Sequence, residues 1–322
     1  MDSSSLPNHD GLSVPTRPQL RGEQLAWLMN STPFWFALFM LDSKATALET
    51  LDKLFEPSGD GVQHFIPQVM LARFRDDTNR LWAYDTVRGG RQAGTATVAH
   101  AGDEFYDFLL HHGQPVSLEK VWTLTEGPLG RVLPRLDDGA EPSLEEAGFL
   151  MAVVAQQIVR VPAWADGLAR RAKQEGYEKA QWEEGELETV LILAAENYRR
   201  MFVTDCELVL MRPEPGVGRG FILSDRPVEL TLGWGGEPVP DGLAPDFSTA
   251  LSPELDLIAQ LPMSARLMVR VQRSSSTDSG HYGKTWEIGA EEIEQHNRRA
   301  VARARRAVFG RRPDVEVAVS SQ

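Results

Sequence analysis

Apolar positions along this chain change their period once, near Thr204. Before it they recur mostly every three or four residues, the mark of amphipathic helices. After it they come in short alternating runs broken by Gly and Pro, the mark of strands. The spacing predicts helices over 103–110, 118–125, 143–160 and 186–202. The second of these is expected to stop before Gly127-Pro128, because the residue ahead of a proline is pushed out of the helical region. Ser143 and Glu146 have the spacing of a capping box, in which each satisfies a free N–H of the other's end of the first turn. Gly89-Gly90 separates 81–87 from 91–98, which predicts a hairpin. Strands follow at 207–211, 220–223, 228–232 and 266–271, and a last helix is expected over 291–309, with Val301, Ala304 and Val308 as its apolar stripe. Helices segregated from strands in this way indicate an α+β fold, a helical region packed with a mostly antiparallel sheet.

The N-terminal part reads differently. Residues 1–20 are rich in Ser and Pro and are expected to be a disordered arm. Residues 21–60 read as a helical extension. Its apolar stretch 25–41 is interrupted by Asn30, Ser31, Thr32 and Pro33, leaving only 34–41 unbroken. A membrane-spanning helix needs about 20 predominantly apolar residues, so two short buried helices are expected and no membrane association. The first residues also lack the positive region of a signal peptide. Residues 61–312 then form a single α+β domain, 313–322 a flexible tail, and the small polar run 274–280 a mobile loop.

Composition adds limits. In 322 residues, 42% are hydrophobic and 25% charged, as in ordinary soluble globular proteins. The net charge of -13 argues against nonspecific attraction to nucleic acid or anionic membrane except through a local basic patch. The single cysteine, Cys206, allows no internal disulfide and no Cys-rich zinc site, and suits a reducing cytoplasm. Arginine outnumbers lysine 27 to six, a bias that points to the codon preference of a GC-rich bacterial genome rather than to recognition.

The segment His64-Phe65-Ile66-Pro67-Gln68, followed by Leu71 and Phe74, opens a helix after the Gly-rich break at 58–61. Pro67 suits the first turn, where a missing N–H costs nothing. Further along come Leu81-Trp82-Ala83-Tyr84-Asp85, Phe105-Tyr106, Gln157-Ile158-Val159-Arg160-Val161-Pro162, Phe221-Ile222-Leu223-Ser224-Asp225-Arg226-Pro227-Val228, Leu251-Ser252-Pro253 and Asn297. In order and spacing this set resembles an uncharacterised bacterial family, domain-of-unknown-function family 4238, over roughly residues 61–310. The resemblance implies a place for a site but names no reaction. Arg226 departs from it, standing where the family usually has Asn.

His64 and Gln68 lie four residues apart and would share a helix face. A histidine that titrates near neutral pH suits general acid or base work, with Asp225, at a strand end, as its orienter or as a metal ligand. The plainer readings are a turn cap for His64 and an Asx-turn beyond Pro227 for Asp225. Gln68, Arg160 and Ser224 are the candidate substrate contacts. For Arg160 the plainer reading is an internal ion pair at a helix C-terminus. Glu119 and Glu126 would meet a cation only with ligands from elsewhere, and His111-His112 point apart. No HExxH, Walker loop or GxGxxG is present, and Gly216–Gly220 reads as a hairpin turn rather than a phosphate cradle because it precedes a strand. Arg298, Arg299, Arg303, Arg305, Arg306, Arg311 and Arg312 make the one basic concentration, and Arg299, Arg303 and Arg306 are the candidate nucleic-acid contacts. A solvated, acid-paired Arg face is the plainer reading of that helix. Two functions follow: a hydrolase or nuclease-like enzyme built on His64 and Asp225, or a non-enzymatic binding or interaction module. The sequence assigns no metal and identifies neither cofactor nor substrate.

Overall fold

The computed structural model describes residues 66–87, 90–94, 118–161, 163–164, 166–167, 170, 186–232, 238–239, 257–274 and 284–320. The arm and extension expected over 1–60, His64 with Phe65, the helix expected at 103–110, His111-His112 and the landmark at 251–253 lie outside these residues. Pro67 starts the first turn: its carbonyl accepts the N–H groups of Met70 and Leu71 at 3.0 and 3.1 Å. The short helix Gln68–Leu71 (α1) passes into a 3-10 turn, Ala72–Phe74, and buries Met70, Leu71 and Phe74. Leu81–Asp85 (β1) and Gly90–Gly94 (β2) form the expected antiparallel hairpin, in register from Leu81↔Gly94 to Asp85↔Gly90.

The helices Leu118–Asp137 (α2), Leu144–Val159 (α3) and Glu186–Asp205 (α4) follow. Beyond them come Cys206–Pro213 (β3), Leu223–Ser224 (β4), Glu229–Leu232 (β5), Leu257–Ser264 (β6), Leu267–Arg273 (β7) and Lys284–Ile288 (β8). Ala290–Arg303 (α5), Ala307–Gly310 (β9) and Arg312–Ser320 (α6) complete the described chain. The strands make two sheets, β2-β1-β9-β4 and β5-β6-β7-β3-β8. All pairs are antiparallel except β3 with β8, so the expected α+β architecture with a mostly antiparallel sheet holds.

Helix α3 is the centre of the core. Every residue from Ala147 to Val159 is buried, because α2, α4 and β6 all pack on it. Its N-terminus is the capping box read from sequence: Ser143 Oγ accepts the Glu146 N–H at 3.2 Å and Glu146 Oε2 accepts the Ser143 N–H at 2.7 Å.

Several boundaries differ from expectation. Helix α2 runs through Pro128 and Pro134 instead of stopping before Gly127. Each internal proline costs about 3 kcal/mol. Leu129, Val132, Leu133 and Leu136 are each 0–2% exposed. At about 1.5–3 kcal/mol per buried side chain, their stripe at three- and four-residue spacing outweighs that cost. Strands β6 and β8 were not expected; Pro262 within β6 argues against a strand, and the pairing register does shift between Pro262 and Ser264.

The last helix ends at Arg303, not at 309, and 307–310 is a strand between β1 and β4. Val308 packs with Val301 and Val315 on one face while Phe309 enters the main core on the other. Adjacent apolar residues buried on opposite faces look like part of a helix stripe when read as a sequence. The flexible tail expected from 313 is helix α6, with Val315 and Ala318 buried and the Arg312 guanidinium 5.0 Å from the centre of the Trp82 ring.

The strand expected at 220–223 shortens to Leu223–Ser224, since side chains hold Gly220 and Ile222 and the Ala265 carbonyl accepts the Phe221 N–H at 3.0 Å. Asn297 Oδ1 accepts the Ile222 N–H at 3.1 Å and its Nδ2 donates to the Gly220 carbonyl at 2.9 Å, while Asp314 Oδ1 accepts the Gly220 N–H at 3.0 Å. A Cβ at Gly220 would lie 2.5 Å from both the Ala265 carbonyl and the Arg311 guanidinium, so only glycine fits there.

Candidate functional site

The residues singled out from sequence are dispersed. Gln68 is exposed at the start of α1. Ser224 makes the local turn: its Oγ accepts the Arg226 N–H at 3.3 Å and donates to the Arg226 carbonyl at 2.6 Å. Asp225 does not bond beyond Pro227. Its carboxylate accepts the backbone N–H groups of Arg305, Arg306 and Ala307 at 2.9, 2.7 and 3.2 Å, which fixes the corner between α5 and β9. Burial pushes the Asp225 carboxyl above its ordinary range against the pull of those three N–H groups and of Arg226. Arg160 caps the C-terminus of α3, is fully buried, and pairs with Glu126 at 3.3 Å.

The arginines of α5 and its continuation face in several directions. Arg298 pairs with Glu294, Arg305 with Asp166, Arg311 with Asp314 and Arg312 with Glu316. The Arg306 side chain is exposed. Arg299 and Arg303 turn toward β5 and meet Glu229: Arg299 Nε donates to Oε1 at 2.6 Å, and Arg303 lies 3.4 Å from Oε2.

That meeting point is one wall of a pocket of about 320 Å³. The end of α3 and the turn after it contribute Gln157, Ile158, Val161 and Trp164; α4 contributes Tyr198. Arg226, Pro227 and β5 supply a second wall, and Arg299, Ala302 and Arg303 of α5 a third. Size and walls are those of a small-molecule site: mostly apolar, with a few polar groups converging. None of Gln68, Arg160, Ser224 or Asp225 lines it.

Three of its polar groups stand out. Gln157 is 1% exposed, and among the described residues neither its carboxamide nitrogen nor its oxygen has a hydrogen-bond partner. The Trp164 indole N–H is buried and equally unmatched. So are both terminal nitrogens of Arg303, which approach Glu229 only as an ion pair. Buried polar groups are nearly always matched, and one left open costs about 1–3 kcal/mol. Helix α3, the turn after it and α5 bring these residues to a single cavity.

The charge balance there is set by Glu229. Burial alone would raise its carboxyl; the approach of His296, with Nδ1 at 3.3 Å, and the charges of Arg303 and Arg299 outweigh it and hold the pKa at about 2. One carboxylate thus serves two guanidinium groups. Burial draws Arg303 down to about 10, with Arg299 and Arg226 adding to the effect and Glu229 opposing it, so the group stays charged at neutral pH. Burial lowers His296 below its ordinary value, Glu229 notwithstanding, and its ring meets Phe221 edge-on at 5.8 Å. Glu229, Thr231 and Arg299 also border a second cavity of about 140 Å³, into which His296 and Arg270 face.

A family model described as a protein of unknown function (DUF4238) matches residues 62–314. The chain belongs to the DUF4238 family. No curated protein and no solved structure matches it. The DUF4238 match includes every described residue of both cavities. Of the landmarks that carried the resemblance in sequence, Ser224, Asp225, Asn297 and Arg160 hold backbone or charge within the DUF4238 core, whereas Gln157 and Arg226 from the same runs line the larger pocket. Sequence reasoning passed over Gln157, Trp164, Glu229 and His296 as site residues. The available signals were an amide inside the apolar run 147–159 and a carboxylate opening the apolar strand 229–232. No cluster of His, Cys, Asp and Glu suited to a metal occurs among the described residues, and no described helix is long and apolar enough to cross a membrane.

Proposed function

We propose that this DUF4238 protein binds a small organic anion in the pocket between α3, α4, β5 and α5. The observation that carries this reading is a set of buried polar groups without a hydrogen bond among the described residues, the Gln157 amide, the Trp164 N–H and the two terminal nitrogens of Arg303, on residues that line one cavity beside a carboxylate shared by two arginines. Charged hydrogen bonds to a buried guanidinium are among the stronger ones, which suits capture of a phosphate or carboxylate head. The apolar walls suit an organic body behind it.

The hydrolytic reading built on His64 and Asp225 has weaker support. Three backbone N–H groups already take up most of the acceptor capacity of the Asp225 carboxylate, which leaves little for a role as orienter or metal ligand. The nuclease form is weaker again, since Arg303 faces the pocket and Arg299, though partly exposed, is tied to Glu229.

The test is titration calorimetry with inorganic phosphate, phenyl phosphate and benzoate on the unaltered protein, Arg226→Asn and Arg303→Gln. At least one probe is expected to bind saturably. Each substitution is expected to weaken it by about tenfold or more, the loss of a charged hydrogen bond. No saturable binding of any probe, or binding indifferent to both substitutions, overturns the reading.

A further inference from the structure

Resting on that pocket reading, we propose that the ligand carries a planar amide-like edge as well as its anionic group, and that it is a nucleoside monophosphate. The argument starts at Gln157. A carboxamide offers a donor and an acceptor side by side, and here both are buried without a partner among the described residues, on a residue that lines the same cavity as the arginines. The group that satisfies both at once is a flat edge with an acceptor beside a donor. Nucleobases present such edges, and a glutamine pairs with them through two parallel hydrogen bonds.

The Trp164 N–H supplies one more buried donor, matched by a base carbonyl or ring nitrogen. Ile158, Val161 and Val239 give apolar walls for the ring faces, and Tyr198 adds an aromatic one. The head is read by Arg303 and Arg299, which have one carboxylate between them, with Arg226 in the same lining. Two guanidinium groups suit a doubly charged phosphate better than a single carboxylate. The cavity, about 320 Å³, lies at the small end of the range for organic ligands and suits a monomer rather than a strand. An N-acyl amino acid shares the chemistry, an amide edge with an anion, and is separated from a nucleotide by experiment.

The experiment is calorimetry with the full chain and these probes: AMP, GMP, CMP, UMP, phenyl phosphate and N-acetylphenylalanine. Each is titrated into the unaltered protein, Gln157→Met and Trp164→Phe. Gln157→Met removes the amide and keeps the length; Trp164→Phe removes one N–H and keeps an aromatic ring. At least one nucleotide is expected to bind ten times or more tighter than phenyl phosphate. Gln157→Met is expected to cost that nucleotide about ten- to a hundredfold, the value of a paired base edge, and to cost phenyl phosphate, which has no such edge, far less. Trp164→Phe gives the same pattern with a smaller loss, and keeps the proposal testable if Gln157→Met does not fold. Nucleotides binding no tighter than phenyl phosphate overturn this inference and leave the anion pocket standing. Tighter, Gln157-dependent binding of N-acetylphenylalanine overturns the nucleotide assignment. If no anionic probe binds at all, the pocket reading itself fails and this inference falls with it.

Discussion

Replacing Gln157 with Met tests whether the buried amide is kept for a ligand or for the fold. Gln157 is 1% exposed on α3, and among the described residues its nitrogen and oxygen both lack partners. Burying an unmatched polar group costs about 1–3 kcal/mol. Methionine has similar length, adapts to irregular gaps and carries no such cost. The ligand-free variant is therefore expected to be about 1–3 kcal/mol more stable than the unaltered protein. At roughly 2–4 °C per kcal/mol for a domain somewhat smaller than this chain, that is a rise in Tm of several degrees. Thermal unfolding and urea midpoints without added ligand measure it. A loss of more than about 1 kcal/mol refutes the reasoning, because it shows that the amide is matched in the folded protein and contributes to stability. A stabilised variant that has also lost ligand affinity is the expected signature of a site residue, one whose cost to the fold is kept for function.

Further outcomes follow from the charges. Glu229→Gln strips Arg299 and Arg303 of their shared carboxylate and is expected to cost about 3 kcal/mol, read by chemical denaturation. Glu229 sits at about 2 in the folded state against an ordinary 4.5, so its contribution is full above pH 4.5 and lost as pH falls toward 2. His296, lowered by burial, takes up a proton more readily when unfolded, so stability also declines as pH drops below 6.5. Unfolding midpoints measured from neutral to acid pH check both signs, and Glu229→Gln should flatten the fall between 4.5 and 2. Asp225→Ala leaves three backbone N–H groups without their acceptor and is expected to cost at least about 2 kcal/mol, with faster hydrogen exchange at 305–307. Deleting residues 312–322 uncovers Ile222 and Val308 and removes buried Val315 and Ala318; a lowered Tm is expected, and an unchanged one contradicts the docking of α6.

Much of the fold was legible because periodicity and caps are local signals. Ser143 and Glu146 announce the start of α3, and the Gly pair at 89–90 predicts the hairpin of β1 and β2, without reference to the rest of the chain. What was not legible depends on tertiary partners. Prolines 128 and 134 stay inside α2 only because four residues of its stripe find a core. Val308 and Phe309 form a strand because β1 and β4 lie on either side. At the site, the sequence drew attention to residues with familiar chemistry, Asp225, Arg160 and Ser224, and these hold the fold's own backbone and charges. The pocket is built by neighbours of those residues. Gln157 and Arg226 became visible only when α3, α4, β5 and α5 came together, since nothing in a sequence tells which buried amide goes unmatched.

The most direct test of the central claim is a crystal structure of the protein soaked with a nucleoside monophosphate. The account predicts the phosphate against Arg303 and Arg299 and the base edge paired with Gln157, in the cavity bordered by Trp164 and β5. Ligand density elsewhere, with the Gln157 amide and the terminal nitrogens of Arg303 still without a hydrogen bond beside an empty cavity, would contradict it.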